Sequence, residues 1–162
     1  MPVVRGLRPL TTPASVRYST VMNRSGENEM AMALIGAAHE VEARMERVLE
    51  PLGLSLAKFG VLSHLVEAGE PMPLCNLADR MECVRSNITQ LIDRLEADKL
   101  VSRLPDPQDR RSIRAYVTPE GRARCEAARG ALRATEKDVF ARFTKAQRES
   151  LRELVAALRE PA

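Results

Sequence analysis

Aromatic residues make up only 3% of this 162-residue chain, and tryptophan is absent. Proteins that hold single-stranded nucleic acid stack its bases on aromatic platforms, so that class is disfavoured and duplex binding stays open. Cysteine is sparse as well. Cys75, Cys83 and Cys125 are an odd, widely spaced set with no C-x-x-C pair. Such a set argues against a disulfide framework and a structural zinc site, and for a reducing, cytoplasmic compartment. His39 and His64 stand far apart, so no metal site is expected, and no cofactor either. No apolar run approaches the roughly 18–20 residues of a membrane span. A phosphate-binding glycine loop, a G-x-S-x-G elbow and an H-E-x-x-H pair are all missing. The sequence therefore offers no catalytic residue and no enzyme.

What is present is globular in character. Apolar residues make up 44% and charged residues 29%, and the length suits one domain with its own core. The net charge of +3 permits a polyanionic partner without requiring one. Residues 1–26 differ from the rest. They carry Arg5, Arg8, Arg17 and Arg24, no acid, and the helix breakers Pro2, Pro9 and Pro13. They read as a flexible arm, or as a stretch upstream of a true start at Met22. Their composition also resembles a transit peptide, and a basic arm of this kind is able to touch DNA.

From Asn28 the apolar residues fall at helical spacing. Met30, Leu34, Ala37, Ala38, Val41, Met45, Val48, Leu49 and Leu52 form one long stripe that Pro51 and Gly53 terminate. Ser55 is a good N-cap for a second helix reaching Ala68, with Leu56, Phe59, Leu62, Leu65 and Val66 on its inner side and His64 toward solvent. Two short amphipathic helices follow. Leu74, Leu77, Ala78 and Met81 mark one, and Ile88, Leu91, Ile92 and Leu95 mark the other, with Glu82, Cys83 and Val84 between them. That is the helix-turn-helix pattern. Leu100–Leu104 and Ile113–Val117 then read as the strands of a β-hairpin with a charged tip. Thr118, Pro119 and Glu120 open a helix expected to reach about Phe143, and Thr144 with Gln147 forms a capping box for a last helix striped by Leu151, Leu154, Val155 and Leu158. The expected fold is mainly α with a small β-hairpin wing: a winged helix-turn-helix lobe at 54–118, and longer helical segments at 27–53 and 119–162. Those flanking helices have more apolar face than a small winged domain covers, so they are expected to pair with a second copy.

A recognition helix buries one face and presents polar groups on the other. At 100° per residue, Leu91, Ile92 and Leu95 lie within about 60° of Ile88. Ser86, Gln90 and Asp93 lie opposite, and Asn87, Thr89 and Arg94 on the flanks. Asn and Gln pair with adenine edges, Arg with guanine, and Thr with a base or a phosphate. A merely solvated face carries more Lys and Glu, whereas Ser, Asn and Thr are mediocre helix formers. At the hairpin, Asp109, Arg110 and Arg111 form the tip, with Arg103 and Arg114 on the strands. An arginine there suits the narrow minor groove of A·T-rich DNA, with Asp106 or Asp109 holding an arginine in place.

Over 55–128 the sequence resembles the MarR family of bacterial regulators. DRLEADKLVSR is similar to the end of that family's recognition helix and its first wing strand, DPQDRRS to its D-x-x-D-R-R wing, and YVTPEG to the entry of its fifth helix. The resemblance implies an obligate homodimer built from the first and last two helices, acting on a pseudo-palindromic double-stranded operator with half-sites ~34 Å apart. It implies major-groove roles for Ser86, Asn87, Thr89, Gln90 and Arg94, joined on the same helix by Arg85 and Asp93. The wing residues would be Arg103, Asp109, Arg110, Arg111 and Arg114. It also implies repression as the usual mode, relieved by a small phenolic or lipophilic effector.

Two other readings remain at this point. A thiol-based sensor would use Cys83, beside Arg85, or Cys125, although the chain has no cysteine before Cys75. A winged-helix protein-interaction module without DNA binding fits the same fold, but the polar helix face and the arginine-bearing wing argue against it.

Overall fold

The computed structural model describes residues 29–107, 109 and 112–159. Helix α1 spans Glu29–Leu49. The chain divides into two units within it, after Glu40. In the first unit the described residues are the N-terminal part of α1, where Met30, Leu34 and Ile35 are exposed.

The second unit holds every other element. A 3-10 turn, Glu50–Leu52, follows α1 and closes on Gly53 at φ +66°. The expected stripe thus continues to Leu52, but the α-helix itself stops at Leu49. Helix α2, Leu56–Ala68, starts where Ser55 predicts: the Lys58 N–H donates to Ser55 Oγ at 3.2 Å. Val61, Leu62 and Leu65 are its buried residues. Val61 lies outside the expected inner side because α2 is apolar nearly all round and sits centrally in the core.

Strand β1, Met72–Pro73, leads into α3, Leu74–Arg80, and then α4, Arg85–Ala97. Strands β2, Val101–Pro105, and β3, Ile113–Val117, form the hairpin. The sheet is antiparallel in the order β1-β3-β2, with Arg103 opposite Ala115 and Met72 also opposite Ala115. Strand β1 was not expected. Two residues after Pro71 show no periodicity, and Pro73 is tolerated because an edge strand need not donate on both sides.

Helix α5 spans Pro119–Val139 and α6 spans Lys145–Ala157. Thr118 caps α5 by accepting from the Gly121 N–H at 3.0 Å. Thr144 and Gln147 complete the capping box of α6. Helix α5 ends short of Phe143, where Phe140 and Phe143 pack edge to face at 5.8 Å. The core gathers Leu49, Leu62, Leu65, Leu77, Ile88, Ile92, Leu95, Leu100, Val101 and Cys125. Leu154 and Val155 of α6 and Leu158 just past it stay exposed. Among the described residues, no helix is long and apolar enough to cross a membrane.

Candidate nucleic-acid interface

The turn between α3 and α4 is tight. The Cys83 N–H donates to the Ala78 carbonyl at 3.1 Å, and Glu82 adopts φ +50°. Val84 is extended, and α4 begins at Arg85. Ile88, Ile92 and Leu95 are wholly buried, which fixes the rotation of α4 about its axis. Arg85, Ser86, Asn87, Thr89, Gln90, Asp93 and Arg94 are consequently all exposed.

These seven are not equivalent. The Thr89 hydroxyl donates to the Arg85 carbonyl at 3.1 Å, so it is turned toward its own helix. Asp93 forms a short ion pair with Arg103 Nη2. The same guanidinium places Nη2 3.4 Å from the Thr89 carbonyl and Nε 3.4 Å from Glu96 Oε2. Arg103 therefore lies along the flank of α4 and neutralises two carboxylates that would otherwise face outward. Sequence reasoning missed Glu96. Its signal was the i+3 spacing from Asp93, which puts both acids on the flank that β2 crosses.

At the base of the hairpin, Arg114 donates to Asp106 twice, from Nε at 2.7 Å and from Nη2 at 3.2 Å. The hydrogen bond to Asp106 raises the Arg114 guanidinium above its already high range. Asp106 is almost fully buried, and its N–H donates to the Ser112 carbonyl at 3.0 Å. Asp106 thus braces a strand arginine, one of the two supports considered for the wing. Asp109 is exposed, and its carbonyl accepts from the Ser112 N–H at 2.9 Å. Arg110 and Arg111, the expected wing-tip residues, lie outside the described residues.

Further contacts tie this lobe together. Lys58 Nζ at the start of α2 pairs with Asp98 Oδ2 just past α4 at 2.8 Å. Helix α4 ends in a Schellman arrangement. The Leu100 N–H donates to the Leu95 carbonyl and the Lys99 N–H to the Glu96 carbonyl, both at 2.9 Å, with Lys99 at φ +61°.

The candidate redox cysteines differ in burial. Cys125, a candidate redox residue, is fully buried in α5. Burial pushes its thiol up, against the pull of the nearby Arg129 guanidinium. A buried thiol with its pKa raised is a poor nucleophile, which weighs against a redox role for Cys125. Cys83 is half-buried and packs against the core. Among the described residues, no three His, Cys, Asp or Glu side chains cluster as a metal site.

Comparison with known proteins places this geometry. Residues 54–113 match the MarR family model. The HTH-type transcriptional repressor YetL of Bacillus subtilis is 33% identical over 103 residues, which is 63% of this chain and 62% of YetL. Another Bacillus subtilis regulator, YsmB, is matched over 55% of its length. The chain thus spans less than two thirds of both curated relatives. Among solved structures, a mutant MarR of Escherichia coli in complex with operator DNA superposes with a TM-score of 0.75 at 20% identity, covering 85% of this chain and all of that one. CouR of Rhodococcus jostii bound to p-coumaroyl-CoA superposes with a TM-score of 0.68 at 23% identity, covering 82% and 93%. At those identities the structures establish the fold. Over residues 54–113 the chain is thus similar to the MarR family, and the described residues share the winged-helix fold of those solved structures.

Proposed function

We propose that this chain is a sequence-specific double-stranded-DNA-binding regulator that represses transcription as a homodimer in the cytoplasm. One observation carries the reading: α4 buries Ile88, Ile92 and Leu95 completely while leaving seven polar side chains open. In this reading Asn87 and Gln90 read adenine edges, Arg85 and Arg94 reach guanines or phosphates, and Ser86 and Thr89 make the shorter contacts. Arg110 and Arg111 enter the minor groove, with Asp109 as their neighbour. Arg103 and Arg114 act through others. The first orients and neutralises Asp93, and the second anchors the wing through Asp106. A mutant Escherichia coli MarR that shares this fold is bound to operator DNA, which supports DNA binding by this fold.

The dimer reading rests on apolar surface. Met30 is 83% exposed on α1, Leu154 is 65% exposed on α6, and Leu158 just past α6 is 66% exposed. Residues 27–53 and 119–162 would supply the partner contact, and 54–118 the DNA contact. A small phenolic or lipophilic effector bound between the two parts would reset the spacing of the paired recognition helices. CouR, crystallised with an aromatic acyl thioester, supports that input.

The test is selection of duplexes from a randomised pool by the full-length chain, followed by equilibrium binding and sedimentation. The expected result is an enriched pseudo-palindrome bound by two copies. Gln90→Ala should relax base preference at one half-site position, at about 1–3 kcal/mol. No enrichment over random duplex would overturn the DNA reading, and one copy per site would overturn the dimer reading.

A further inference from the structure

Val84 stands at the entrance to α4 and is 62% exposed. Neither packing nor polar readout accounts for it. It occupies the N-cap, with φ −68° and ψ 143°, and makes no side-chain cap. Ser, Thr, Asp or Asn at that position would accept from the first-turn N–H groups and stabilise the helix. Here the Asn87 and Ile88 N–H groups donate only to the Val84 carbonyl, at 3.0 and 3.4 Å. The chain thus forgoes a cap and leaves an isopropyl group in water. A hydrophobic staple does not explain this, because a staple residue buries itself against the helix it precedes. Among the described residues, the other exposed large apolar side chains lie on α1, on β3 and on or just past α6. Val84 stands instead at the N-terminus of α4, directly before Arg85.

Thymine is the one base that places a methyl group in the major groove, and small apolar side chains recognise it by contact. Recognition helices bring their N-terminal residues to base edges. We propose that Val84 is a specificity-determining contact that reads the C5-methyl of a thymine at the half-site position facing the start of α4. The inference rests on the DNA-binding reading above and deepens it. The Val84 side chain contributes no hydrogen bond. Its selectivity comes from water displaced between methyl groups, which is worth roughly a fourfold change in affinity per buried methyl.

The experiment uses a duplex enriched by the full-length wild-type chain. It is resynthesised with each thymine replaced in turn by deoxyuridine, which removes only the methyl. Wild type should lose about three- to fivefold in affinity at one thymine of each half-site. Val84→Ser should bind the thymine and deoxyuridine duplexes equally at that position and keep wild-type discrimination elsewhere. Val84→Ser should also melt higher than wild type, because serine restores the cap. A structural role for Val84 would give the opposite: a lower melting temperature and unchanged discrimination at every thymine. That result overturns the proposal, as does a wild-type chain indifferent to every deoxyuridine. If no duplex is enriched at all, the DNA reading fails first and this inference with it, a failure distinct from the other two.

Discussion

Arg103→Met is the substitution that best separates a positioning arginine from a DNA-contacting one. Arg103 pairs with Asp93 and lies 3.4 Å from Glu96. Its side chain is 23% exposed, against 55% for Asp93 and 43% for Glu96. Methionine keeps the length and removes the charge. Two carboxylates are then left uncompensated on the flank of the helix proposed to face DNA. For a carboxylate about 7 Å from a phosphate, Coulomb's law gives roughly 0.6 kcal/mol in bulk water and roughly 2.4 kcal/mol at an effective dielectric of 20. Binding should therefore weaken by about 1–2 kcal/mol, some five- to thirtyfold. Folding should change less, because pairs this exposed contribute only about 0.2–1 kcal/mol each.

Fluorescence anisotropy on an enriched duplex, repeated across a salt series, measures the effect. If Arg103 acts through the two acids, the double variant Arg103→Met/Asp93→Asn should recover about half of the lost affinity, Glu96 accounting for the rest, and the salt slope should stay close to that of wild type. If Arg103 instead touches a phosphate, the slope should fall by about 0.9 and Asp93→Asn should restore nothing. The second pattern would refute the positioning role.

Other consequences can be checked by thermal melting and thiol chemistry. A Cβ on Gly121 would lie 2.0 Å from the Leu100 carbonyl oxygen, so Gly121→Ala should cost about 3 kcal/mol or more; a loss under about 1 kcal/mol would mean that α5 shifts freely. Lys99 holds φ +61° at the end of α4, so Lys99→Gly should stabilise by about 0.5–1 kcal/mol, and a lower melting temperature would contradict the strain argument. Burial keeps the Cys125 thiol above its ordinary range, so the folded chain retains a proton that the unfolded chain loses near pH 8.5. The resulting stability is complete below that pH and is lost as pH rises through the folded-state value. Wild type should thus lose more melting temperature than Cys125→Ala between about pH 7 and 10, and native-state alkylation should spare Cys125.

Much of the lobe was legible because local rules and packing agree. Ser55, Thr118 and Thr144 each cap the helix that their spacing predicts. The 3.6 period of Ile88, Ile92 and Leu95 placed the polar face of α4 outward, as observed. Pairings made by crossing elements were not legible. That Arg103 turns back along α4, and that Arg114 meets Asp106, depends on how β2 and β3 lie against their neighbours. No sequence period records that. The burial of Cys125 has a faint sequence signal. Gly121, Cys125 and Ala128 fall on one helical face and are all buried, but small residues make a weak stripe. Strand β1 left no signal, since two residues carry no alternation.

Leu100 shows how the same lobe couples its parts. Its N–H closes the end of α4 on the Leu95 carbonyl, and its own carbonyl accepts from both the N–H and the hydroxyl of Thr118, at 3.0 and 3.1 Å. Gly121 then packs directly on that carbonyl. One buried backbone unit therefore joins the end of the proposed reading helix, the root of the wing and the first turn of α5. Packed interiors change arrangement in discrete steps instead of deforming smoothly. A shift of α5 would accordingly reach α4 through Leu100 and Thr118 as a rigid displacement. The polar face would be re-aimed with its side chains still in place.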